Sequence, residues 1–363
     1  MDLRPLTDSG GPTPEQIRQA LERGLTYLQN HQYPNGEFCC YFAADKPMRG
    51  SCVPDHTVLP TAAIGNALLT LADHPTATVI LTRMVSFFEY QMMRGGLVNF
   101  FALRNPLFQL IPPDADSTAC VGTFLDARGV LYPRNSARTL LLANQRGGAG
   151  VGSWFVLRPR LMQQRPYWRT GLRALKAPLA SWRFWRQHGY GRHDRGGVAN
   201  ANVLRYLSVD GASQHILDYL VALLINHQET DGDFRYRTPI TLYYALGSSY
   251  RPDVAPLEGV RSLVLERLMS YQQPGGRFGA SLLETAQALS ALIAWGGRAE
   301  LIRATASVLL AGQQHYGEWP RALYFYAGPA SSTGWGSEEL TTGFCLEALT
   351  AYQRWEEERI GIA

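Results

Sequence analysis

Two carboxylates stand one residue apart at Asp114 and Asp116, directly after a Pro-Pro pair and directly before an apolar run. Pro-Pro excludes helix before it, and Thr118 onward is typical of a helix, so both acids fall in or just before a first helical turn. Two like charges this close do not both ionise readily, so one proton is retained. A carboxylic acid that stays protonated near neutral pH is a general acid. The alternative interpretation is an N-cap aspartate with a solvated neighbour.

The composition is that of a globular protein with a sizeable core. The chain has 363 residues, of which 46% are hydrophobic and 18% charged, and a formal net charge of +4. No apolar run reaches the roughly 18 residues of a membrane-spanning helix, and residues 1–13 are typical of a loose tail without a signal core. The five cysteines lack CxxC spacing, which favours free thiols over a zinc site or disulfides. The sequence therefore predicts a cytoplasmic protein.

Two interlocked repeats run through the chain. In the first, an amphipathic helix is followed by Gln, by Gly four residues later and then by an aromatic residue. Its copies begin at Gln32, Gln91, Gln145, Gln228, Gln272 and Gln313; the second is degenerate and the third has looser spacing. In the second, a more apolar helix rich in small residues follows each loop, with frames that begin at Thr61, Thr118, Asn200, Pro239, Thr285 and Thr342. Spaced repetition of this kind indicates a repeat architecture.

The repeats predict an all-α fold, an (α/α)6 barrel of six outer and six inner helices in a single domain over 1–363. The outer helices are expected near 14–30, 75–91, 134–145, 212–228, 257–272 and 298–313. The inner helices are expected to begin near 57, 114, 198, 238, 282 and 337. Because outer and inner helices alternate, every inner helix starts at the same end of the barrel. Asp114 and Asp116 are therefore expected at the mouth of a central cavity.

Helical phase predicts which side chains face that cavity. If Asp116 points inward, the residues four and seven positions later share its face. The aligned plus-four positions are Ala63, Cys120, Asn202, Thr241, Gln287 and Phe344. The small members of this set leave room for a substrate. Asn202 and Gln287 are expected either to bond a substrate oxygen or to satisfy each other, and Tyr244, at plus seven, is expected to form an aromatic wall.

Residues 156–196 break the repeat as an Arg- and Trp-rich insertion. Ten Lys and Arg residues stand there against one acid, Asp194, with aromatic residues interleaved. Three interpretations stay open. The segment is an irregular structural insertion, a peripheral contact with a membrane interface, or a gate that binds an anionic substrate head. Nucleic acid is disfavoured as a partner because no known binding motif accompanies the charge.

The string Asp114-Ala-Asp116-Ser117-Thr118-Ala119 resembles the D-x-D-D-T-A signature of class II terpene cyclases, the squalene–hopene cyclase and copalyl diphosphate synthase group. The Gln…Gly-x-aromatic units resemble the QW repeats of that superfamily, and 336–342 resembles its last inner helix. The resemblance covers about residues 14–355. A single barrel is similar to the monodomain cyclases of bacterial meroterpenoid pathways. One departure is Ser117 where the family has a further Asp, which removes one like charge that would raise the pKa of the acid.

The resemblance implies a cyclisation that begins with protonation. The middle carboxylate, here Asp116, would protonate the terminal alkene or epoxide of a linear polyprenyl chain, expected to be a geranylgeranylated aromatic acid. Asp114 would polarise or reprotonate it, and Ser117, Thr118 and His56 would support it. Aromatic faces would stabilise the resulting cation. The expected partner is a hydrophobic prenylated small molecule, with no metal or other cofactor, and with Mg²⁺ only if the substrate is a diphosphate.

The expected substrate-binding residues combine aromatic side chains near the helix starts with side chains on the predicted inner face. They are Trp154, Asn202, Thr241, Tyr244, Gln287, Trp319, Trp335 and Phe344. Tyr324 and Phe325 are further aromatic candidates in the same region. For Trp154 and Trp319 the alternative is an ordinary place in the hydrophobic core, where large apolar side chains usually lie.

Four other functions stay open. A cyclase of a prenyl diphosphate, of drimenyl or copalyl type, would use the same acid. A protein prenyltransferase β subunit shares the repeat but needs a zinc set of Asp, Cys and His. A carbohydrate-active barrel would use Asp114 and Asp116 as acid and base, although such carboxyls are usually about 5–9.5 Å apart and come from separate segments. A non-catalytic barrel would only bind a partner. Metal-dependent ionisation of a diphosphate is disfavoured because the chain has no DDxxD run.

Overall fold

Outer and inner helices alternate along the chain in the computed structural model, which describes residues 11–145, 147, 150–173, 178–179, 182–183, 186, 194–230, 233, 235–328 and 332–361. The outer helices are α1 (Pro14–His31), α3 (Pro75–Gln91), α5 (Arg134–Ala143), α7 (Gln214–Ile225), α9 (Arg261–Met269) and α11 (Ala299–Ala311). The inner helices are α2 (Leu59–Leu68), α4 (Ala115–Ala127), α6 (Gly197–Leu207), α8 (Pro239–Gly247), α10 (Leu282–Trp295) and α12 (Glu338–Ile360). Shorter helical segments lie at Leu69–Leu71, Arg94–Gly96, Pro106–Gln109, Pro159–Met162, Arg165–Arg173, Ala255–Glu258 and Pro274–Gly276.

The six inner helices form a closed ring. Each packs against its two neighbours in chain order, and α12 completes the ring against α2. Helices enclosed on most sides are apolar all round, and every residue of α2 is buried. The outer helix α1 is amphipathic instead and buries one face, with Ile17, Leu21, Leu25 and Leu28 at helical spacing. The predicted α/α barrel is confirmed, and each inner helix begins within one turn of its predicted position.

Residues of the repeats form hydrogen bonds between a loop and the start of an inner helix; we call these latch bonds. Thr61 Oγ1 accepts a hydrogen bond from the Phe38 amide at 3.2 Å. Equivalent bonds join Thr118 to Val98, Asn200 to Val151, Thr285 to Phe278 and Thr342 to Trp319. Gln32 Nε2 donates to the carbonyl oxygens of Gly36 and Ile80 at 3.2 and 3.0 Å. The latch sets all these inner helices at one height, which brings their first turns to the same end of the barrel.

Two glycines of the repeat stand where a side chain has no room. Gly36 and Gly317 have φ angles of +90° and +99°. A Cβ at Gly36 would come within 2.2 Å of the Arg83 carbonyl oxygen, and one at Gly317 within 2.4 Å of the Arg23 carbonyl oxygen. Both the left-handed conformation and the close approach require glycine. Gly232 and Phe234, from another copy of the repeat, lie outside the described residues.

A four-stranded sheet corrects the strictly all-α expectation. Its strands are β1 (Cys40–Ala43), β2 (Cys52–Asp55), β3 (Ala322–Tyr326) and β4 (Gly334–Ser337), in the order β2-β1-β4-β3 and antiparallel throughout. The strands belong to the long loops before α2 and α12. Buried backbone needs hydrogen-bond partners, so the two loops pair with each other, with Phe42 opposite Trp335. Helical periodicity carries no signal for this pairing.

The described part of the insertion combines two buried anchors with an exposed surface. Leu161 and Tyr167 are fully buried, and the Tyr167 hydroxyl donates to the Phe155 carbonyl oxygen at 2.5 Å. Trp168 and Trp182 are about half exposed. Among the basic and aromatic residues of the insertion, Lys176, Phe184, Trp185, Tyr190 and Arg192 lie outside the described residues, as does the N-terminal tail up to residue 10.

Two further features are the pairing state of the cysteines and the length of the apolar helices. All five cysteines are unpaired, and Cys40, Cys120 and Cys345 are buried. Within the described ranges, no helix combines the length and the apolar character that crossing a membrane requires.

Candidate active site

Asp116, in the first turn of α4, faces the lumen, the space inside the ring of inner helices. Its carboxyl is 1% exposed. Asn202 Nδ2 donates to Oδ1 at 2.8 Å, and the Tyr236 hydroxyl donates to Oδ2 at 2.6 Å. Tyr236 precedes α8, which is not a neighbour of α4 in the ring, so this second bond spans the lumen. Both carboxyl oxygens of Asp116 therefore have a donor, in a site closed to bulk water.

Aromatic rings extend from this hydrogen bond across the lumen. The Tyr236 ring lies edge-on to Tyr324 and Phe325, with centroids 5.1 and 5.4 Å apart. Tyr324 in turn lies 5.3 Å from Phe344. Burial raises the pKa of the Tyr236 and Tyr324 hydroxyls well above the usual range, so both remain protonated donors. The surroundings of the acid are thus aromatic faces and neutral hydroxyls.

Asp114 is the N-cap of α4 and turns away from Asp116. Its Oδ1 accepts a hydrogen bond from the Ser117 amide at 2.7 Å, and its buried Oδ2 has no hydrogen-bond partner among the described residues. Burial raises the pKa of Asp114 from 3.8 to about 7, opposed by the Ser117 amide and helped by the Asp116 charge. A proton retained near neutral pH was expected here, but burial contributes more to it than the like charge does.

The three supporting residues have different positions. Ser117 acts through its amide, as the cap partner of Asp114. Thr118 Oγ1 bonds the backbone of Val98, so it holds the helix start, and it makes no hydrogen bond to either carboxyl group. His56 Nδ1 lies 3.1 Å from Glu37 Oε1, and its side chain is 58% exposed. The structure therefore does not place His56 against Asp116, because Glu37 holds the imidazole at the surface.

The aligned plus-four positions form a first layer of the lumen. Asn202 bonds Asp116, while Thr241 Oγ1 donates to Gln287 Oε1 at 2.8 Å. Gln287 Nε2 is buried and has no hydrogen-bond partner among the described residues. Asn202 and Gln287 thus do not satisfy each other, and the Gln287 amide keeps a free donor. Phe344 contributes an aromatic face.

A deep layer follows one helical turn further from the acid. Its members, three residues beyond the first layer on each inner helix, are Asn66, Thr123, Arg205, Tyr244, Ser290 and Glu347. The Tyr244 hydroxyl donates to Glu347 Oε2 at 2.7 Å. Since α8 and α12 are not neighbours in the ring, this bond also crosses the lumen. The Tyr244 ring meets Phe344 edge-on at 5.5 Å, as expected for an aromatic wall.

A buried ionic network lies behind the acid end. Arg235 is 1% exposed and pairs with Asp194 at 2.9 Å and Asp233 at 4.0 Å. Its guanidinium also bonds the Ser153 hydroxyl and stacks over the Trp154 ring, 5.4 Å from the centroid. Burial raises the pKa of Asp233 to about 7 even though Arg235 lowers it. The predicted substrate-binding residue Trp154 is therefore a packing partner of Arg235.

Trp319 and Trp335 lie in different surroundings. Trp319 is fully buried, its indole N–H donates to the Leu309 carbonyl oxygen at 2.7 Å, and its ring approaches Gly24 of α1. It packs between helices rather than along the lumen. Trp335 belongs to the sheet, donates to Asp55 Oδ2 at 2.7 Å and joins an aromatic cluster with Phe42, Phe100, Phe101 and Phe325.

This geometry bears on two alternative functions, the zinc-dependent prenyltransferase subunit and the carbohydrate-active barrel with paired acids. Across the residues that the structure describes, no three His, Cys, Asp or Glu side chains converge as metal ligands would. Asp114 caps its own helix instead of facing Asp116 across a cleft. The two aspartates are therefore not arranged as the acid and base of a hydrolase.

Comparison with known proteins shows the fold. No family model and no curated protein matches the chain. Solved structures do, and one is a protein from Actinoplanes with 16% identity and a TM-score of 0.66, covering 93% of this chain and 99% of that one. Another is the type II terpene cyclase MstE from Scytonema, with 16% identity, a TM-score of 0.65, and coverage of 95% of this chain and 100% of that one.

The chain has the fold of the type II terpene cyclase MstE. The resemblance seen in the motif implied this fold, and the comparison confirms it. MstE has also been solved with geranylgeranyl dihydroxybenzoate, its substrate. A more distant match is a possible member of the GH105 family from Salmonella enterica, with 11% identity and a TM-score of 0.53, covering 97% of this chain and 96% of that one.

Three lumen residues of this MstE-like barrel were missed from the sequence. Arg205 and Glu347 occupy the same plus-seven positions as Tyr244, so the helical phase that found Tyr244 also contained them. Tyr236 lies in a loop, where no periodicity indicates a direction. Its only signal is its place three residues before an inner helix, the place that His56 also occupies.

Proposed function

We propose that this protein is a class II terpene cyclase that starts a polycyclisation by protonating the terminal alkene or epoxide of a linear polyprenyl chain. The observation that carries the proposal is Asp116, a buried carboxyl that faces an aromatic lumen and has a hydrogen-bond donor on each oxygen. Support also comes from the MstE-like fold, which extends over nearly the whole chain.

The hydrogen bonds around Asp116 favour proton donation. The protonated carboxyl gives its proton to the CH carbon of the terminal alkene, the positive charge develops on the dimethyl-substituted carbon, and a carboxylate forms. Asn202 Nδ2 and the Tyr236 hydroxyl, at 2.8 and 2.6 Å, stabilise that negative charge as it develops. Donors already in position act more strongly in a dry site than in water. The Asn202 and Tyr236 bonds are therefore placed to stabilise the carboxylate that proton transfer leaves behind.

Asp114 assists by remaining neutral. With its pKa raised to about 7, it is mostly uncharged below pH 7. An ionised Asp114 would oppose the formation of a carboxylate at Asp116. Its protonated form removes this opposition, so Asp114 tunes the acid without a direct hydrogen bond to it.

The lumen suits a carbocation. The faces of Tyr236, Tyr324 and Phe344 attract positive charge through their quadrupoles. These aromatic faces present few nucleophilic atoms to the cation, and the exclusion of water protects it from capture. The cation is therefore able to move along a prefolded polyene as successive rings close.

A cationic cleft on the surface supports a substrate with an anionic head. Lys46, Arg49, Arg277 and Arg321 line it with one acid, Glu284. A narrower space that shares Lys46 and Glu284 is lined by Thr241 and Tyr324. We propose that the carboxylate of a geranylgeranylated aromatic acid stays in the cleft while the prenyl chain enters the barrel. The same cations would hold a diphosphate, with Mg²⁺ as its counterion, and this is the second candidate substrate class.

The insertion at 156–196 is proposed as a peripheral contact with a membrane or micelle that delivers the prenyl chain. Its exposed Trp168 and Trp182 combine apolar rings with neighbouring arginines, a mixture suited to an interface.

The direct test incubates the purified protein with geranylgeranylated dihydroxybenzoate, with geranylgeranyl diphosphate plus Mg²⁺, and with farnesyl diphosphate plus Mg²⁺. Cyclised isomers are then sought by mass spectrometry and NMR. Cyclic product from the aromatic acid alone supports the first class, and product from a diphosphate supports the second. Absence of conversion in all three, from folded protein, would contradict the cyclase proposal.

A further inference from the structure

The deep layer holds a carboxylate that initiation does not use. Glu347 is the one acid among the side chains of the first and deep layers. Its Oε2 accepts the Tyr244 hydroxyl, while Oε1 has no hydrogen bond to any described residue. The neighbouring Leu346 and Ala348 are fully buried, whereas Glu347 is partly exposed. Since α12 is enclosed on both flanks there, the open side of Glu347 is the lumen.

Arg205 opposes Glu347 across the ring. It stands on α6, three positions from α12 among the six inner helices, and makes no hydrogen bond or ion pair with any described residue. Burial raises the pKa of Glu347, while the Tyr244 bond and the Arg205 charge lower it. Burial is the largest of these influences, so the Glu347 carboxylate is more basic than one in water, and its Oε1 lone pair is open to the lumen.

The register places Glu347 deeper in the barrel than the initiating acid. Asp116 lies two residues before Thr118, and Glu347 lies five residues after Thr342. Those two threonines make the same latch bond, so they lie at the same height in the barrel. Asp116 and Glu347 therefore differ in height by seven residues, or about 10 Å of helical rise. Glu347 also stands on α12, away from α4. A part of the folded substrate that lies about 10 Å along the lumen from the carbon beside Asp116 is therefore level with Glu347.

We propose that Glu347 is the base that ends the cyclisation; this assignment rests on the proposed function. In the last step, Oε1 takes a proton from the carbon next to the final cation. The electrons of that C–H bond become the C=C bond of the product, and Glu347 becomes a neutral acid. One proton enters the substrate from Asp116 and one leaves to Glu347. The product is then an isomer of the substrate, and Glu347 returns its proton to solvent after release.

Tyr244 and Arg205 are positioning residues for this base. The Tyr244 hydroxyl fixes the carboxylate by one oxygen and leaves the other directed to the substrate. The Arg205 charge lowers the pKa of Glu347, which favours release of the proton between turnovers. Because the base is held on one side of the lumen, it also selects which hydrogen is removed, and hence the position of the product double bond.

In the experiment, geranylgeranylated dihydroxybenzoate is incubated in D₂O with wild type, Tyr244→Phe, Glu347→Gln, Glu347→Asp and Glu358→Gln. The last is the matched control, the same substitution at an exposed position of α12. Initiation should place one deuteron on the former CH carbon of the terminal alkene in every case. In Glu347→Gln the wild-type alkene should fall on the order of 100-fold, with the remaining product captured by water or deprotonated after fewer rings. Glu347→Asp should keep turnover but alter the alkene position, and Tyr244→Phe should give mixed alkenes.

Two results would overturn the assignment. One is a Glu347→Gln variant that forms the wild-type alkene at the wild-type rate. The other is a variant with a raised KM and an unchanged product, which would make Glu347 a binding residue. Both are distinct from failure of the proposed function, which would appear as no conversion and no deuterium incorporation by wild type itself. If the Gln variant is inactive, activity of Glu347→Asp would show that a substitution at this position does not by itself unfold the site.

Discussion

The acid end of the barrel and the insertion at 156–196 both concentrate polar and aromatic side chains, but in opposite environments. At the acid end, Asp116 is 1% exposed and bonded on both oxygens. In the insertion, Trp182 is 52% exposed, and Arg186 stacks over its ring at 5.3 Å in contact with solvent. The first region holds polar groups that water cannot reach, and the second presents them to water.

This difference in burial indicates where substitutions should have large effects. In a buried site the low local dielectric strengthens each hydrogen bond and makes an unpaired partner costly. On the surface, salt screens charges beyond about 8–10 Å, and side chains rearrange freely. Substitutions at the acid end are therefore expected to change chemistry by orders of magnitude, and substitutions in the insertion to change only substrate capture.

The largest effect is expected from Asp116→Asn. Asparagine is nearly isosteric and keeps a carbonyl oxygen for Asn202, but it has no proton to give. Turnover of the geranylgeranylated arene should fall by roughly 10³-fold or more, at the upper end of general acid catalysis. Thermal unfolding and substrate binding should stay close to wild type. Turnover of this variant near the wild-type rate would refute Asp116 as the proton donor.

Tyr236→Phe should have the next largest effect. It removes one of the two donors that stabilise the Asp116 carboxylate, a hydrogen bond to a charged group worth about 1.5–3 kcal/mol. The corresponding loss in kcat is about 10- to 150-fold, with KM little changed. Tyr324→Phe is the control, since its ring lies against Tyr236 but its hydroxyl does not bond Asp116. Equal losses in the two variants would show that the Tyr236 bond has no special role.

Asp114→Asn should change the pH dependence of stability more than it changes the fold. The pKa of Asp114 is raised from 3.8 to about 7 by burial, so between these values the folded state holds a proton that the unfolded chain has lost. That contribution to stability is full below pH 4, is lost as pH rises to 7 and is constant above it. Asparagine still caps the Ser117 amide and does not titrate. Relative to wild type, the variant should therefore gain on the order of a few kcal/mol between pH 4 and 8.

Urea unfolding of the two proteins at pH 4.5, 6 and 8 measures this difference. Asp233, whose pKa is also raised to about 7, is present in both proteins and largely cancels in the comparison. Parallel stability curves would mean that Asp114 is already ionised in the folded protein. Turnover by Asp114→Asn should fall, but less than in Asp116→Asn.

The smallest effect is expected in the insertion. Changing the exposed Arg165, Arg169 and Arg183 together to Gln should raise KM by a few-fold and leave kcat unchanged, because surface attraction assists capture only. The difference from wild type should shrink as salt is added. Binding to anionic vesicles, measured by co-sedimentation, should weaken in parallel. If neither KM nor vesicle binding changes, the insertion is a structural element, and the contrast between the two regions becomes sharper.

Local patterns along the chain determined the scaffold and the position of Asp116 at a helix start. The alternation of amphipathic and apolar helices requires two rings, and the spaced Gln, Gly and Thr residues supply the latches that align them. Pro-Pro before Asp114 and Asp116 sets both acids at a helix start. These features depend on residues within a few turns of one another, so periodicity and capping rules reveal them. The sheet escaped this reasoning because its central pair joins β1 and β4 from opposite ends of the chain.

Only the tertiary structure decided which side chains meet in the lumen. Tyr236 reaches Asp116 and Tyr244 reaches Glu347 across a closed ring, and loop conformation carried His56 to Glu37 instead. Helical phase specifies the direction of a side chain from its own axis, but not the partner on a helix a hundred residues away. Burial likewise raises the pKa of Asp114, and the depth of a carboxyl below the surface exists only once the barrel has closed. The chemistry of the site therefore depends on desolvation and long-range contact, which no local pattern contains.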